Sequence, residues 1–72
     1  MQSKEAYQDR FLRALVRSGG SVTVFLVNGY QLRGRVTAFD AFVVCLETEG
    51  RQQMIFKHAI STLAPLGPVQ LD

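Results

Sequence analysis

The sequence predicts a mainly β domain in which one N-terminal helix precedes about five short, strongly bent strands that form a small, partly open barrel. Helical spacing of apolar residues is confined to the N-terminal part, and strand-like runs separated by small turns fill the rest. Gly34 in the middle of one such run favours a sharp bend, which is how a small sheet curls toward a barrel. The 72 residues suffice for one domain, whose core is only marginally able to outweigh chain entropy.

The helix is predicted from about Tyr7 to Arg17. Its apolar residues recur at spacings of three and four and would share one face; they are Tyr7, Phe11, Leu12, Leu15 and Val16. Gly19-Gly20 would end the helix, since glycine is common just after a helix C-terminus. Arg13 and Arg17 lie off the apolar face, either as an ordinary solvated surface or as a lateral phosphate-binding patch.

The first two strands are predicted from Ser21 to Val27 and from Tyr30 to Phe39. Asn28-Gly29 between them is a strong hairpin signal, because both residues tolerate the positive φ angles of a type I′ turn. Alternation in the second strand places four residues inward: Leu32, Gly34, Val36 and Ala38. The same alternation places five residues outward: Gln31, Arg33, Arg35, Thr37 and Phe39.

Three further strands follow. The run from Phe42 to Leu46 is apolar on both faces, which is typical of a central strand. After a hairpin turn at Glu49-Gly50, the next strand runs from Arg51 to Phe56, and the last runs from Ile60 to Leu63 before Pro65. The last two strands carry few of the charges or prolines that discourage edge pairing, so copies of the chain could pair there and close into a ring.

Lys57-His58 separates the last two strands and is the most conspicuous polar pair of the chain. A central strand cannot easily bury an ammonium group beside an imidazole, so the chain must turn there and present both groups to water or to a ligand. The pair is therefore either a binding-site candidate or a solvated corner between strands.

Composition excludes several classes of function. One cysteine allows no disulfide within the chain, and one cysteine with one histidine cannot make a structural zinc site. Cys45 lies in an apolar strand, and no nucleophile with an oriented base is evident, so neither an enzyme nor a cofactor is predicted. The longest apolar run is too short for a bilayer, and the N-terminus lacks a signal-peptide segment, which favours a cytoplasmic protein without membrane contact. The formal charge of +2 is a weak hint of anionic partners.

Several motifs together carry a family resemblance: Leu26-Val27-Asn28-Gly29, Leu32-Arg33-Gly34, Phe39-Asp40-Ala41-Phe42 and Phe56-Lys57-His58-Ala59-Ile60-Ser61-Thr62. In that strand context, from about Gln8 to Pro65, the chain resembles the bacterial Sm-like RNA chaperone family Hfq. The resemblance implies an N-terminal helix on a strongly bent, five-stranded Sm-like open barrel, assembled as a homohexameric ring. Residues 7–65 would form the Sm-like domain, with a flexible N-terminus at residues 1–6 and a short disordered tail at residues 66–72.

The function that the resemblance implies is binding of small regulatory RNAs and messenger RNAs and promotion of their pairing. Single-stranded, uridine-rich RNA would bind a proximal face at Gln8, Phe42, Lys57 and His58. Adenine-rich RNA would bind a distal face at Phe25, Asn28, Gly29, Tyr30, Gln31, Leu32, Gln53 and Thr62. A lateral rim would comprise Arg13, Arg17 and Phe39. Without the resemblance, Phe25 and Tyr30 could equally be packing or subunit-interface residues, and a barrel that assembles proteins without binding RNA is the alternative function.

The chain departs from the family pattern at a few positions. Ala41 replaces a frequent glutamine and Phe56 a frequent tyrosine, which removes hydrogen-bonding groups from the proximal face and predicts a weaker preference for uridine. Val16 and Ser18-Gly19 interrupt the arginine run of the rim, which puts rim-assisted annealing in doubt. Gln31 replaces a frequently basic residue.

Overall fold

The structure is a computed structural model that describes residues 6–71. Helix α1 (Tyr7–Ser18) is followed by strands β1 (Val22–Leu26), β2 (Gln31–Phe39), β3 (Val43–Thr48), β4 (Arg51–Phe56) and β5 (Ile60–Pro65), with a 3₁₀ helix (Lys57–Ala59) between β4 and β5. The predicted order of one helix and five strands is confirmed. Most of the segment that was predicted to be flexible, residues 1–6, lies outside the described residues. No helix within residues 6–71 has the length and apolar character needed to cross a membrane.

Helix α1 ends at the predicted glycine pair. Gly19 adopts the left-handed conformation, with a φ of 71°, and its amide donates a hydrogen bond to the Leu15 carbonyl. Leu12 and Leu15 are buried in the core, and the helix packs on β2. Tyr7 is the first residue of the helix and is 67% exposed, so it is not buried although its spacing puts it on the side of Phe11 and Leu15.

The five strands form one antiparallel sheet in the order β4-β3-β2-β1-β5. Strands β4 and β5 are therefore the two edges within one chain, as predicted. Strand β2 belongs to both halves of the sheet: residues 31–34 pair with β1, and residues 35–39 pair with β3. The sheet changes direction where these two sets of pairs meet.

Gly34 lies at that junction and allows a close approach of β2 and β3. A Cβ atom on Gly34 would lie 2.3 Å from the carbonyl oxygen of Glu47 and 2.7 Å from Oγ1 of Thr48. Thr48 Oγ1 also donates a hydrogen bond of 2.8 Å to the carbonyl of Arg33. The absence of a side chain at position 34 is thus what permits the predicted bend.

A β-bulge reverses the alternation near the end of β2. The register with β3 shifts between Val36 and Ala38, so Thr37 is the additional residue. Ala38 is exposed, whereas Phe39 is half-buried and packs against the core. The predicted inward position of Ala38 and outward position of Phe39 are therefore wrong, because one additional residue exchanges the two faces of a strand.

The two hairpin turns differ from each other. Among residues 6–71, Glu49 is the one non-glycine residue with a positive φ, 52°, and Gly50 follows with 81°; this pair has the type I′ signature. The predicted type I′ turn at Asn28-Gly29 is wrong, since only Gly29 has a positive φ, 97°. Asn28 instead accepts a hydrogen bond from the Tyr30 amide at its Oδ1, 3.1 Å away.

The core lies between α1 and the inner face of the sheet, and it comprises Leu12, Leu15, Val22, Val24, Val36, Val44, Leu46 and Ile55. The chain beyond β5 returns toward the helix end. The Leu66 amide donates to the Ser21 carbonyl, and Val69 packs against the core. The disorder of residues 66–72 stays a prediction, and residue 72 lies outside the described residues.

Candidate functional site

Lys57 is held from two sides. Its Nζ lies 3.1 Å from Asp9 Oδ1 in α1 and 5.6 Å from the centre of the Phe39 ring in β2. The Lys57 side chain is only 15% exposed, so much of its length is removed from water. The bulge in β2 is what turns the Phe39 ring to this side. The ammonium group is thus fixed in place, with a cation–π contact as well as an ion pair.

Phe42 is presented by a loop that Asp40 organises. Asp40 Oδ1 accepts hydrogen bonds from the amides of Phe42 (2.8 Å) and Val43 (2.9 Å). These two bonds, and then the charge of Lys57, lower the pKa of the Asp40 carboxyl below its ordinary value of 3.8. The Phe42 ring is 74% exposed, and its carbonyl accepts a 2.7 Å hydrogen bond from the Lys57 amide. The loop and the 3₁₀ helix are therefore joined directly.

The four residues of the predicted proximal face lie at the same end of the sheet. Gln8 and Lys57 line one cavity of about 170 Å³, together with Thr62. Phe42 is hydrogen-bonded to the Lys57 backbone, and His58 is the next residue and is exposed. An amide, an ammonium group, an exposed ring and an imidazole can together stack a base, bond its edge and contact its backbone.

The predicted distal residues are brought together in part. Gln31, Phe25 and Thr62 lie directly across from one another on β2, β1 and β5, so they share one face of the sheet. Tyr30, at the end of the hairpin turn, is 72% exposed, whereas Phe25 is half-buried. The stacked ring pair within residues 6–71 is Phe56 with His58, so Phe25 and Tyr30 do not stack on each other.

The distal set extends into a groove of about 640 Å³ between β2 and the β3–β4 turn. Gln31, Leu32 and Gln53 line this groove with Arg33 and Arg35. Leu32 also packs against the core, so part of its side chain is used in folding. Arg35 forms an ion pair with Glu47. The two arginines were predicted to point outward but were assigned no role.

Thr62 lies between the two groups of predicted site residues. It lies across from Phe25 in the sheet, in line with Gln31, and it also lines the cavity of Gln8 and Lys57.

The three residues of the predicted rim do not lie together. Arg13 and Arg17 are exposed one helical turn apart on α1, but Phe39 lies beside Lys57 and not with them.

Two residues of this site, Asp9 and Asp40, have no role in the sequence prediction, and Phe56 was named there only as the replacement for a frequent tyrosine. Asp9 is 48 positions from Lys57, a separation at which spacing along the chain carries no information. Asp40 could have been found, because aspartate followed by a small residue often accepts hydrogen bonds from the next amides. Phe56 stacks on His58, and its position two residues before the histidine was the available signal.

A helix packed on a strongly bent, five-stranded antiparallel sheet, with aromatic and cationic side chains around its loops, defines a small Sm-like barrel protein. The sequence profile described as Hfq protein matches residues 7–70. RNA-binding protein Hfq of Oceanobacillus iheyensis is 62% identical over 65 residues, which cover 90% of this chain and 88% of that protein. The chain belongs to the Hfq family.

Other relatives agree with this assignment. RNA-binding protein Hfq of Shouchella clausii is 56% identical over 71 residues, which cover 99% of this chain and 92% of that protein. A crystal structure of the pleiotropic translational regulator Hfq superimposes with a TM-score of 0.79 at 41% identity, covering 82% of this chain and 98% of the other. For an Hfq protein from Anabaena sp. the TM-score is 0.74 at 36% identity, with 81% and 93% covered.

Proposed function

We propose that this protein is a cytoplasmic RNA chaperone, without enzymatic activity, that binds small regulatory RNAs and messenger RNAs and promotes their pairing. The observation that carries the proposal is the direct joining of Phe42 and Lys57 by a 2.7 Å backbone hydrogen bond. The exposed Phe42 ring and the Lys57 cation therefore belong to adjoining segments, and a ring with a nearby cation is the combination that binds unpaired bases with their backbone. The relatives that are named RNA-binding protein Hfq support the same function.

The proposal includes assembly into a homohexameric ring. Strands β4 and β5 are edges of the sheet, and each has a row of backbone groups that no other strand within residues 6–71 pairs. Met54 and Phe56 on β4 are 61% and 51% exposed, an apolar surface suited to a second copy. In a ring, the net charge of +2 per chain is multiplied by the number of copies, and the Lys57 side chains are repeated around one pore. Both effects favour salt-dependent binding of a polyanion.

Two separate sites are proposed on this ring. Gln8, Phe42, Lys57 and His58 bind uridine-rich RNA on the proximal face. Phe25, Asn28, Gly29, Tyr30, Gln31, Leu32, Gln53 and Thr62 bind adenine-rich RNA on the distal face, with the exposed Tyr30 ring as the stacking surface. Arg13 and Arg17 supply rim contacts to phosphates.

A titration of short oligouridylate and oligoadenylate against two variants tests these sites. Lys57→Ala should weaken oligouridylate binding about tenfold or more, because hydrogen bonds to charged groups contribute about 1.5–3 kcal/mol. The variant also leaves the Asp9 carboxylate without its ion-pair partner, and this negative charge repels the phosphates of the RNA. Arg51→Ala is the matched control, since it removes one positive charge at the opposite end of β4. Native mass spectrometry should give six copies for wild type and both variants.

Tyr30→Asp should selectively weaken oligoadenylate binding, with Tyr7→Asp as a control at another exposed tyrosine. Equal losses for both oligonucleotides would argue against a separate distal site. A protein that binds neither oligonucleotide at low salt is an assembly module, which is the alternative function, and the proposal would then be wrong.

A further inference from the structure

Phe56 and His58 form a parallel ring pair beside the proximal site. Their ring centres are 5.7 Å apart and the ring planes differ by 6°. Phe56 is the last residue of β4, and His58 is the second residue of the 3₁₀ helix. Lys57 between them is directed to Asp9 and Phe39, so the side chains of positions 56 and 58 lie on one side of the chain and that of position 57 on another.

The Phe56 ring is the contact that fixes the imidazole. The 3₁₀ helix has no buried residue, and His58 is exposed. Within residues 6–71 the hydrogen bonds and ion pairs give the His58 side chain no partner. Burial and hydrogen bonding therefore do not choose its rotamer, whereas stacking on a ring restricts the imidazole to one plane.

We infer that Phe56 is a positioning residue for RNA binding, which acts by holding the His58 imidazole parallel to its own ring. The inference rests on the proposed function, because it assigns a role inside the uridine-binding site. Because the imidazole is exposed and parallel to the Phe56 ring, both of its ring nitrogens lie along open edges and can bond to a ribose hydroxyl or a phosphate. Stacking removes rotamer freedom before RNA binds, so less entropy is lost in the complex.

A purely structural role predicts something different. Phe56 lies at the edge of the sheet and is 51% exposed, so it could serve only as an apolar contact between copies. In that case its replacement would weaken assembly, and its effect on RNA binding would not depend on the residue at position 58. The two roles are therefore separated by a double-mutant cycle.

The experiment compares Phe56→Leu, His58→Ala and the double variant in oligouridylate titrations, with Phe56→Tyr as the conservative control. Phe56→Leu should weaken oligouridylate binding about two- to tenfold relative to wild type, the range expected for one aromatic pair. Phe56→Tyr, which keeps an aromatic ring, should not show this loss. In the His58→Ala background, Phe56→Leu should have no further effect. Equal losses in both backgrounds would overturn the inference while leaving the proposed function intact, whereas wild-type protein that does not bind oligouridylate would remove both.

A second measurement needs no variant. The chain has a single histidine, so its ring protons are unambiguous in an NMR spectrum of the assembled wild-type protein. With parallel ring centres 5.7 Å apart, protons of the His58 and Phe56 rings are close enough for nuclear Overhauser effects between them. The absence of these effects would show that the rings do not stack in solution, and would refute the positioning role even if Phe56→Leu does not assemble.

Discussion

Gly34→Ala is expected to destabilise the protein strongly, although it adds only one methyl group. The new Cβ would lie 2.3 Å from the Glu47 carbonyl oxygen and 3.0 Å from the Glu47 carbonyl carbon. Both are backbone atoms of the paired strand, so they cannot rotate away as a side chain would. Relief of the overlap requires β2 and β3 to separate by about 1 Å, since favourable contacts begin near 3.5 Å.

The magnitude follows from two terms. Overpacking of this kind costs about 1–3 kcal/mol. Separation of the strands also breaks the hydrogen bond from Thr48 Oγ1 to the Arg33 carbonyl, which contributes about 1 kcal/mol. The free energy of unfolding should therefore fall by about 2–4 kcal/mol, a large fraction of the stability of so small a domain.

Urea unfolding followed by far-ultraviolet circular dichroism measures this change, since the chain has no tryptophan. Protein concentration must be held fixed, because assembly adds to apparent stability. Gly20→Ala is the matched control: its Cβ would meet only Ser18 Oγ, at 3.7 Å, so its stability should equal or slightly exceed that of wild type. If Gly34→Ala and Gly20→Ala unfold at the same urea concentration, the close approach is not what limits position 34.

Two further predictions concern turns. The folded-state pKa of Asp40 is lowered, so the contribution of this carboxylate to stability is complete above the unfolded pKa of about 4 and is lost as pH falls through the folded value. Asp40→Ala should therefore be less stable than wild type at pH 7, and the difference should shrink in acid. Urea midpoints measured at several pH values test this. Asp40→Asn, which keeps an acceptor oxygen without the titration, should differ from wild type less at pH 7 than Asp40→Ala does, and equal midpoints for wild type and Asp40→Ala at pH 7 would refute the role. Glu49→Asn should raise the free energy of unfolding by about 0.5–1 kcal/mol, because asparagine tolerates the φ of 52° better than glutamate does; a lower urea midpoint for this variant would contradict the turn assignment.

Features that depend on neighbours in the sequence were predictable. Gly19 ends α1 where helical spacing stops, and Gly34 marks the bend. The edges could also be predicted, because the weak protection of β4 and β5 is visible in their residues. Each of these follows from local chemistry, which a single sequence contains.

Features that depend on register were not predictable. The alternation of apolar and polar residues along β2 gives no sign that Thr37 is an additional residue. The sequence prediction therefore assigned Ala38 and Phe39 to the wrong faces of the strand. The ion pair of Asp9 with Lys57 joins residues 48 positions apart, and it exists only because the helix lies over the end of the sheet. The first hairpin was misread because Asn28 uses its side chain as an acceptor instead of adopting a left-handed backbone.

The 3₁₀ helix is bonded at both ends to other loops: the Lys57 amide donates to the Phe42 carbonyl, and the Ala59 carbonyl accepts from the Val27 amide at 2.9 Å. This three-residue segment is therefore a spacer of fixed length between the loop before β3 and the hairpin after β1. An insertion or deletion inside it would break one of the two bonds, whatever residue was used. A substitution here leaves both backbone bonds in place and changes only what the side chains contact, whereas a change in length moves the loop before β3 relative to the hairpin after β1.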